Sequence, residues 1–330
     1  MEQKKQIEGK VYRYCRVNEM FARRDHVLVA LSGGGDSVCL LHMLLSLRDV
    51  LGIRISAAHI HHGLRESANR DAEFAKELCE AAGIDFYTER VDVRNKAESE
   101  GKGIEEAARE LRYEQLWRIA EAAGADKLAV AHHMEDQAET LLFSLCRGSG
   151  IRGMAGMHPV SGRLVRPLLC LKKEEILLFL SQSGLSYMTD ETNADMAYTR
   201  NRIRTQILPL MCEEVNAGAV SHMARFGETM AQLGEYLSGQ IGQALAECQL
   251  EREELSGAGM VLSIPKLLSY PDFLQTEIVH LCIARMAGQR KDIGAVHTAA
   301  VLGLCEGISG KQVMLPYQIR ARRDYDRLCF

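Results

Sequence analysis

The chain has 330 residues, 47% hydrophobic and 25% charged, with a formal net charge of −4. Those values describe an ordinary globular chain of about two domains. They exclude a protein that holds nucleic acid by bulk charge, and no apolar stretch is long enough for a helical membrane span. The ten cysteines are scattered without a C-x-x-C pair, mostly in apolar segments such as those around Cys39, Cys79 and Cys146. That is the pattern of reduced, packed thiols in the cytosol. The N-terminal Met1-Glu-Gln-Lys-Lys-Gln-Ile-Glu8 lacks the apolar core of a signal peptide, so a cytoplasmic location is expected.

In chain order, Glu2 to Ala22 reads as an amphipathic helix with Val11, Tyr14 and Val17 on one side. Strands and helices then alternate: strand Val27–Leu31, helix Asp36–Leu47; strand Ile53–Ile60, helix Ser67–Ala82; strand Ile84–Val91, a polar loop, helix Gly103–Ala123; strand Lys127–Ala131, helix Glu135–Cys146. Four βα units in a row predict an α/β fold, a twisted parallel sheet with helices on both faces. A short strand, Leu164–Val165, precedes Arg166-Pro167, and Lys172–Ser183 reads as a helix stopped by Gly184. Asp190 to Asn201 is polar and irregular, and Arg200 to Met211 reads as a helix interrupted by Pro209. Beyond about Val215 the pattern is largely helical, with segments Ala217–Glu247, Ile264–Met286 and Gly294–Glu306, and a hairpin-like, arginine-rich tail from Lys311 to Phe330. The expected division falls near residue 213, between an α/β domain over 1–213 and a smaller, mainly α-helical domain over 214–330.

Ligands of such sheets sit beyond the carboxyl ends of the strands, so those ends carry the candidate residues. The first is followed by Ser32-Gly33-Gly34-Gly35-Asp36-Ser37, a glycine turn between strand and helix. Glycines admit close backbone approach, and the N–H groups at the helix start attract an anion. The loop has neither the lysine of G-x-x-x-x-G-K-[ST] nor the spacing of G-x-G-x-x-G. Handling of pyrophosphate therefore fits it better than transfer of a terminal phosphate.

The second strand end supplies His59, His61 and His62, followed by Arg65; the fourth supplies His132, His133, Asp136, Gln137, Glu139 and Thr140. Asp136 and Glu139 stand three apart, so a helix puts both carboxylates on one face. Such a pair suits a cationic amine, or merely complements a helix dipole. With His133 it could also ligate a metal, but the chain has no HExxH and no cysteine pair, which speaks against zinc. Arginines cluster at Arg109 and Arg112, at Arg200, Arg202 and Arg204, and at Arg320, Arg322 and Arg323. In a chain of negative net charge, three such clusters suggest a surface that tracks phosphates.

Ser32 to Ser37 resembles the SGGxDS loop of the N-type ATP pyrophosphatases, or PP-loop enzymes. Within them the chain is similar to the tRNA(Ile)-lysidine synthetase family. The resemblance is carried by His59-Ile-His-His-Gly-Leu-Arg65, Ala131-His-His-Met-Glu-Asp-Gln-Ala-Glu-Thr140, Arg147-Gly-Ser-Gly150, Arg166-Pro-Leu-Leu169, Asp190-Glu-Thr-Asn193 and Tyr198-Thr-Arg-Asn-Arg-Ile-Arg204. It is dense to about residue 210 and thinner beyond. It implies an adenine nucleotide alpha hydrolase-like fold, ATP and Mg²⁺ as cofactors, and L-lysine and tRNA(Ile) with a CAU anticodon as substrates. The implied reaction adenylates C2 of the wobble cytidine, releases pyrophosphate, and then lets the lysine ε-amine displace AMP. On the same ground Ser32, Gly33, Gly34, Gly35, Asp36, Ser37 and His59 are expected to bind ATP, with Asp36 near the metal. Asp136 and Glu139 are expected to recognise lysine, His133 to accept its proton, and Arg112 and Arg204 to orient substrate and RNA. The metal ligands are left open. A tRNA thiolase on the same fold is the nearest alternative, set back by the absence of paired cysteines; a non-catalytic nucleotide sensor would not need the histidines and carboxylates. Many members of the family continue into a further C-terminal domain, whereas this chain stops at Arg327-Leu-Cys-Phe330.

Overall fold

A computed structural model of the protein describes residues 2–61, 68–188, 199–250, 259–290 and 292–330. It divides into two compact units, Met1–Ala231 and Gln232–Phe330.

In the first unit, helix α1 (Glu2–Val17) leads into strand β1 (His26–Ala30), helix α2 (Gly35–Leu51), β2 (Arg54–His61), α3 (Ala68–Ala82) and β3 (Phe86–Arg90). Then come α4 (Val93–Glu100), α5 (Ile104–Ala122), β4 (Lys127–Ala129), α6 (Met134–Cys146), the short α7 (Ile151–Met154), β5 (Val160–Ser161), β6 (Leu164–Val165) and α8 (Lys173–Gln182). The six strands lie in the order β3-β2-β1-β4-β6-β5 and are parallel except β5, which pairs antiparallel with β6. The doubly covered parallel sheet is therefore as expected. Residues of β1 alternate between faces: Val27 and Val29 pack with α1, α2 and α8, whereas Leu28 packs with α4 and α5. Helix α2 is buried on nearly every side; Val38, Leu40, Leu41, Met43 and Leu44 are fully enclosed, each contributing about 2 kcal/mol by burial. That anchors the glycine loop to the centre of the sheet.

The chain runs from β1 outward through β2 to β3, then returns to place β4 on the other side of β1. The strand order thus reverses between β1 and β4, the crevice where such sheets bind ligands.

Several elements differ from the sequence expectation for identifiable reasons. Helix α1 ends at Val17 rather than Ala22 because Glu19 turns left-handed (φ 48°), and Glu19 N–H and Met20 N–H cap the carbonyls of Arg16 and Cys15. The polar loop before α5 contains α4, whose only buried residues are Val93 and Ala97, one turn apart; Asp92 caps it by accepting from Asn95 N–H at 3.1 Å. Pro209 does not interrupt its helix. From α9 (Thr199–Arg202) the helical path continues to Val215 through α10 (Leu208–Leu210), and the five-residue turns Ile203–Ile207 and Met211–Val215 are wound wider than an α-helix.

Helix α11 (Ala219–Cys248) contributes to both units. The second unit adds β7 (Val261–Ser263), α12 (Ile264–Leu268), α13 (Asp272–Ala287), α14 (Ala295–Cys305), β8 (Gln312–Met314), β9 (Arg320–Asp324) and β10 (Arg327–Cys329). Pro271 splits the expected Ile264–Met286 helix into α12 and α13. The arginine-rich tail is three strands of a four-stranded antiparallel sheet, β7-β10-β9-β8, with its own core around Leu262, Ile278, Val279, Cys282 and Leu328.

Candidate functional site

Beyond β1 the chain turns through Ser32–Gly34 and starts α2 at Gly35. The serine hydroxyls wind the loop on itself: Ser37 donates to the Gly34 carbonyl (2.8 Å) and accepts from Ser32 N–H (3.2 Å), with Ser32 Oγ 3.1 Å away. They brace the loop. Two glycines are dictated by geometry. Gly33 has φ +89°, and a β-carbon on Gly35 would press on the Tyr187 ring at 3.3 Å. The first N–H groups of α2 have no intrahelical partner, so the loop presents an anion-binding helix start. His59, buried on β2, donates from Nδ1 to the Leu31 carbonyl at 2.9 Å and so fixes the entry to the loop. Burial holds its imidazole below the usual pKa.

Across the crevice, β4 delivers His132 and His133 and then α6. His133 is the N-cap of α6: its own N–H donates to Asp136 Oδ2 at 2.9 Å. Its ring lies among three carboxylates, with Nδ1 2.9 Å from Glu135 and Nε2 3.5 Å from Asp136 and 3.7 Å from Asp36. Burial opposes charging this ring, but those carboxylates outweigh it and lift its pKa above the usual value. Burial also opposes the Glu135 and Asp136 carboxylates, but the His133 ring and the Lys173 backbone N–H hold Glu135, and His133 and Arg204 hold Asp136, below their ordinary values.

Asp136 and Glu139 do share one face of α6, but they do not stand free. Arg204, 65 residues further along, places Nε 2.5 Å from Glu139 and Nη2 2.6 Å from Asp136 and 3.0 Å from the second Glu139 oxygen. Burial of Glu139 raises its pKa despite that guanidinium. The other conspicuous residues of this segment are structural. Gln137 clamps the chain after α7 through Ala155 and Met157, and Thr140 bonds back to the Asp136 carbonyl.

Asp36 joins the two sides. Its Oδ1 accepts from Lys173 Nζ at 2.5 Å, while the Lys173 backbone N–H donates to Glu135. Lys173 was not anticipated. A lysine absent from the glycine loop is brought to it by the first residue of α8. The available signal was Lys172-Lys173 at a helix start, where the dipole disfavours cations. Among the described residues no group of three or more His, Cys, Asp or Glu side chains is arranged to hold a metal. Magnesium, however, needs only one or two carboxylates beside phosphate oxygens, and Asp36 is suitably placed beside the loop.

Of the remaining candidates, Arg112 on α5 lies over the Tyr113 ring at 5.4 Å, Arg200 over Phe143 at 5.6 Å, and Arg202 bonds to Thr199. Arg323 is spent on the carbonyls of Leu304, Cys305 and Gly307, capping α14, whereas Arg320 and Arg322 are exposed. His62, Arg65, Asp190–Asn193 and Tyr198 lie outside the described residues.

Residues 5–211 match the family model described as a PP-loop domain. The chain is 36% identical over 326 residues to the tRNA(Ile)-lysidine synthase of Geobacter sulfurreducens, covering 97% of this chain and 68% of that protein. It is 35% identical over 330 residues to the bifunctional protein TilS/HprT of Listeria monocytogenes serotype 4b, covering 98% of this chain and 50% of the other. Among solved structures, the U34-tRNA thiolase NcsA of Methanococcus maripaludis with its [4Fe-4S] cluster shares the fold, at TM-score 0.59 and 18% identity over 69% of this chain and 79% of that one. The chain belongs to the PP-loop ATP-using enzymes and, within them, to the tRNA(Ile)-lysidine synthase family. It spans about half to two thirds of the length of those curated relatives. No helix among the described residues is long and apolar enough to cross a membrane.

Proposed function

We propose that this chain carries the ATP-dependent step that joins lysine to C2 of the wobble cytidine in the CAU anticodon of tRNA(Ile). The observation that supports it best is the convergence, at the β1/β4 crevice, of a pyrophosphate-type loop with the His133, Asp136, Glu139 and Arg204 cluster.

On this reading the helix start at Gly35–Ser37 and Lys173 receive the β- and γ-phosphates of ATP, and His59 keeps the loop in register. Asp36 would hold Mg²⁺, which when bound would supply neutralisation of phosphate charge. The cytidine O2 attacks the α-phosphorus and pyrophosphate leaves. The lysine ε-amine then attacks C2, and AMP departs with that oxygen.

A free lysine ammonium, with a pKa of about 10.4, must lose a proton before it attacks. His133 lies within reach of three carboxylates that raise its basicity, so its neutral form is a competent acceptor. Asp136 and Glu139 share their charge between Arg204 and the incoming ammonium, and Arg204 keeps them correctly placed when no lysine is bound. Residues 214–330 supply further tRNA contacts, including the exposed Arg320 and Arg322.

The test is pyrophosphate release from labelled ATP with and without a CAU-anticodon tRNA. Release that requires the tRNA is expected; release indifferent to it contradicts an RNA acceptor.

A further inference from the structure

Arg109 and Arg112, one turn apart on α5, both stack on one ring, each guanidinium carbon 5.4 Å from the Tyr113 centroid. Arg166, which follows β6, is buried; its Nη1 donates to the His158 carbonyl at 2.6 Å and its Nε to His132 Nδ1 at 3.3 Å. Among the described residues none of the three guanidinium groups has a carboxylate within ion-pair distance. Arg109 acts electrostatically against both Arg112 and Arg166. The Tyr113 hydroxyl in their midst is buried and makes no hydrogen bond of ordinary geometry, its one polar neighbour of note being the Arg112 guanidinium. His132, bonded to Arg166, is held neutral by burial and by these cations, its pKa pushed down to about 3.

Three cations gathered around a neutral imidazole and a neutral phenol hydroxyl are unfavourable unless an anion joins them. Guanidinium groups match phosphate oxygens with paired donors. Asp136, the acid that acts most strongly on His132, is already bonded to Arg204.

We propose that Arg109, Arg112 and Arg166, with the Tyr113 hydroxyl, form a second oxyanion site, separate from the glycine loop, that takes one phosphate group. The two sources of that group are the α-phosphate of the nucleotide and a phosphodiester of the bound RNA. The assignment of ligands rests on the proposed function; the existence of the site does not.

The test compares the full chain with its Arg109→Gln and Arg112→Gln variants, titrating ATP and, separately, an RNA hairpin with a CAU loop over a range of salt concentrations. Arg109 is exposed, so its variant keeps the fold, and matched melting curves check both. A loss of about tenfold in affinity for the hairpin, with the salt slope reduced by about one and ATP binding unchanged, assigns the site to RNA. A comparable loss for ATP with the hairpin unaffected assigns it to the nucleotide. Unchanged affinity for both ligands in both variants overturns the site. Altered phosphate binding in a protein that forms no lysidine would remove the proposed function and leave this inference standing.

Discussion

Replacing Arg204 by Met would leave two carboxylates on one face of α6 without their cation. The wild-type guanidinium makes three charge-assisted hydrogen bonds, at 2.5, 2.6 and 3.0 Å, to carboxylates whose side chains are only 6% (Glu139) and 16% (Asp136) exposed. Breaking a buried ion pair by removing one partner costs about 3–5 kcal/mol. Arg204 is itself 39% exposed, which places the expected loss near the lower end, at about 3 kcal/mol. Part of it depends on pH. Burial already raises the Glu139 pKa against the pull of Arg204, and without that guanidinium it rises further. A carboxyl whose folded pKa exceeds its unfolded value destabilises most above the folded pKa, and the penalty fades as pH falls through it. Urea unfolding followed by Trp117 fluorescence at pH 7.5 and pH 5.5 measures both terms. The expected result is a large deficit at the higher pH, smaller at the lower, and substantially recovered by adding Glu139→Gln. A loss below about 1 kcal/mol, equal at the two pH values, would refute the view that these three residues form one buried ionic unit.

His132 makes a second pH prediction. Its folded pKa, about 3, lies below the ordinary value near 6.5, so its neutral form adds stability above pH 6.5 that is lost as pH falls. Between pH 7.5 and pH 5 the wild type should lose about 2 kcal/mol more than His132→Gln; parallel pH curves would reject this. Gly33→Ala forces a side chain into φ +89° and should cost about 1–2 kcal/mol while weakening ATP binding. Gly34→Ala, at φ −72° with only Ser32 Oγ near the new carbon, should cost much less; equal losses would refute the geometric argument. Lys173→Met should weaken ATP binding about tenfold in calorimetric titration, whereas Lys172→Met, whose ammonium pairs with the exposed Glu174, should not. Equal effects would remove Lys173 from the phosphate site.

The sheet was legible because its central strand β1 is an apolar run, β2 and β3 are bounded by turn residues, and the helices keep their own period, so each β/α alternation could be read locally. The glycine loop was legible for the same reason: Gly33, Gly35 and the two serines are neighbours in sequence and fold on each other. What escaped was long-range. Lys173 reaches Asp36 across 137 residues, and Arg204 reaches Glu139 across 65. Nothing in the spacing of Asp136 and Glu139 announces that the Arg204 guanidinium bridges the two carboxylates. The conduct of Arg323 was equally hidden, since an arginine that caps α14 reads in sequence like one that faces RNA. The helix α4 was missed because two buried residues one turn apart are a weak signal inside a charged stretch.

The most direct measurement is mass spectrometry of nuclease-digested tRNA(Ile) carrying the CAU anticodon, after incubation with this chain, ATP, Mg²⁺ and lysine. The account predicts a wobble nucleoside heavier than cytidine by one lysine less water, formed only when ATP is present and abolished by Asp36→Asn. An unmodified cytidine in the presence of all components and folded, ATP-binding protein would contradict it.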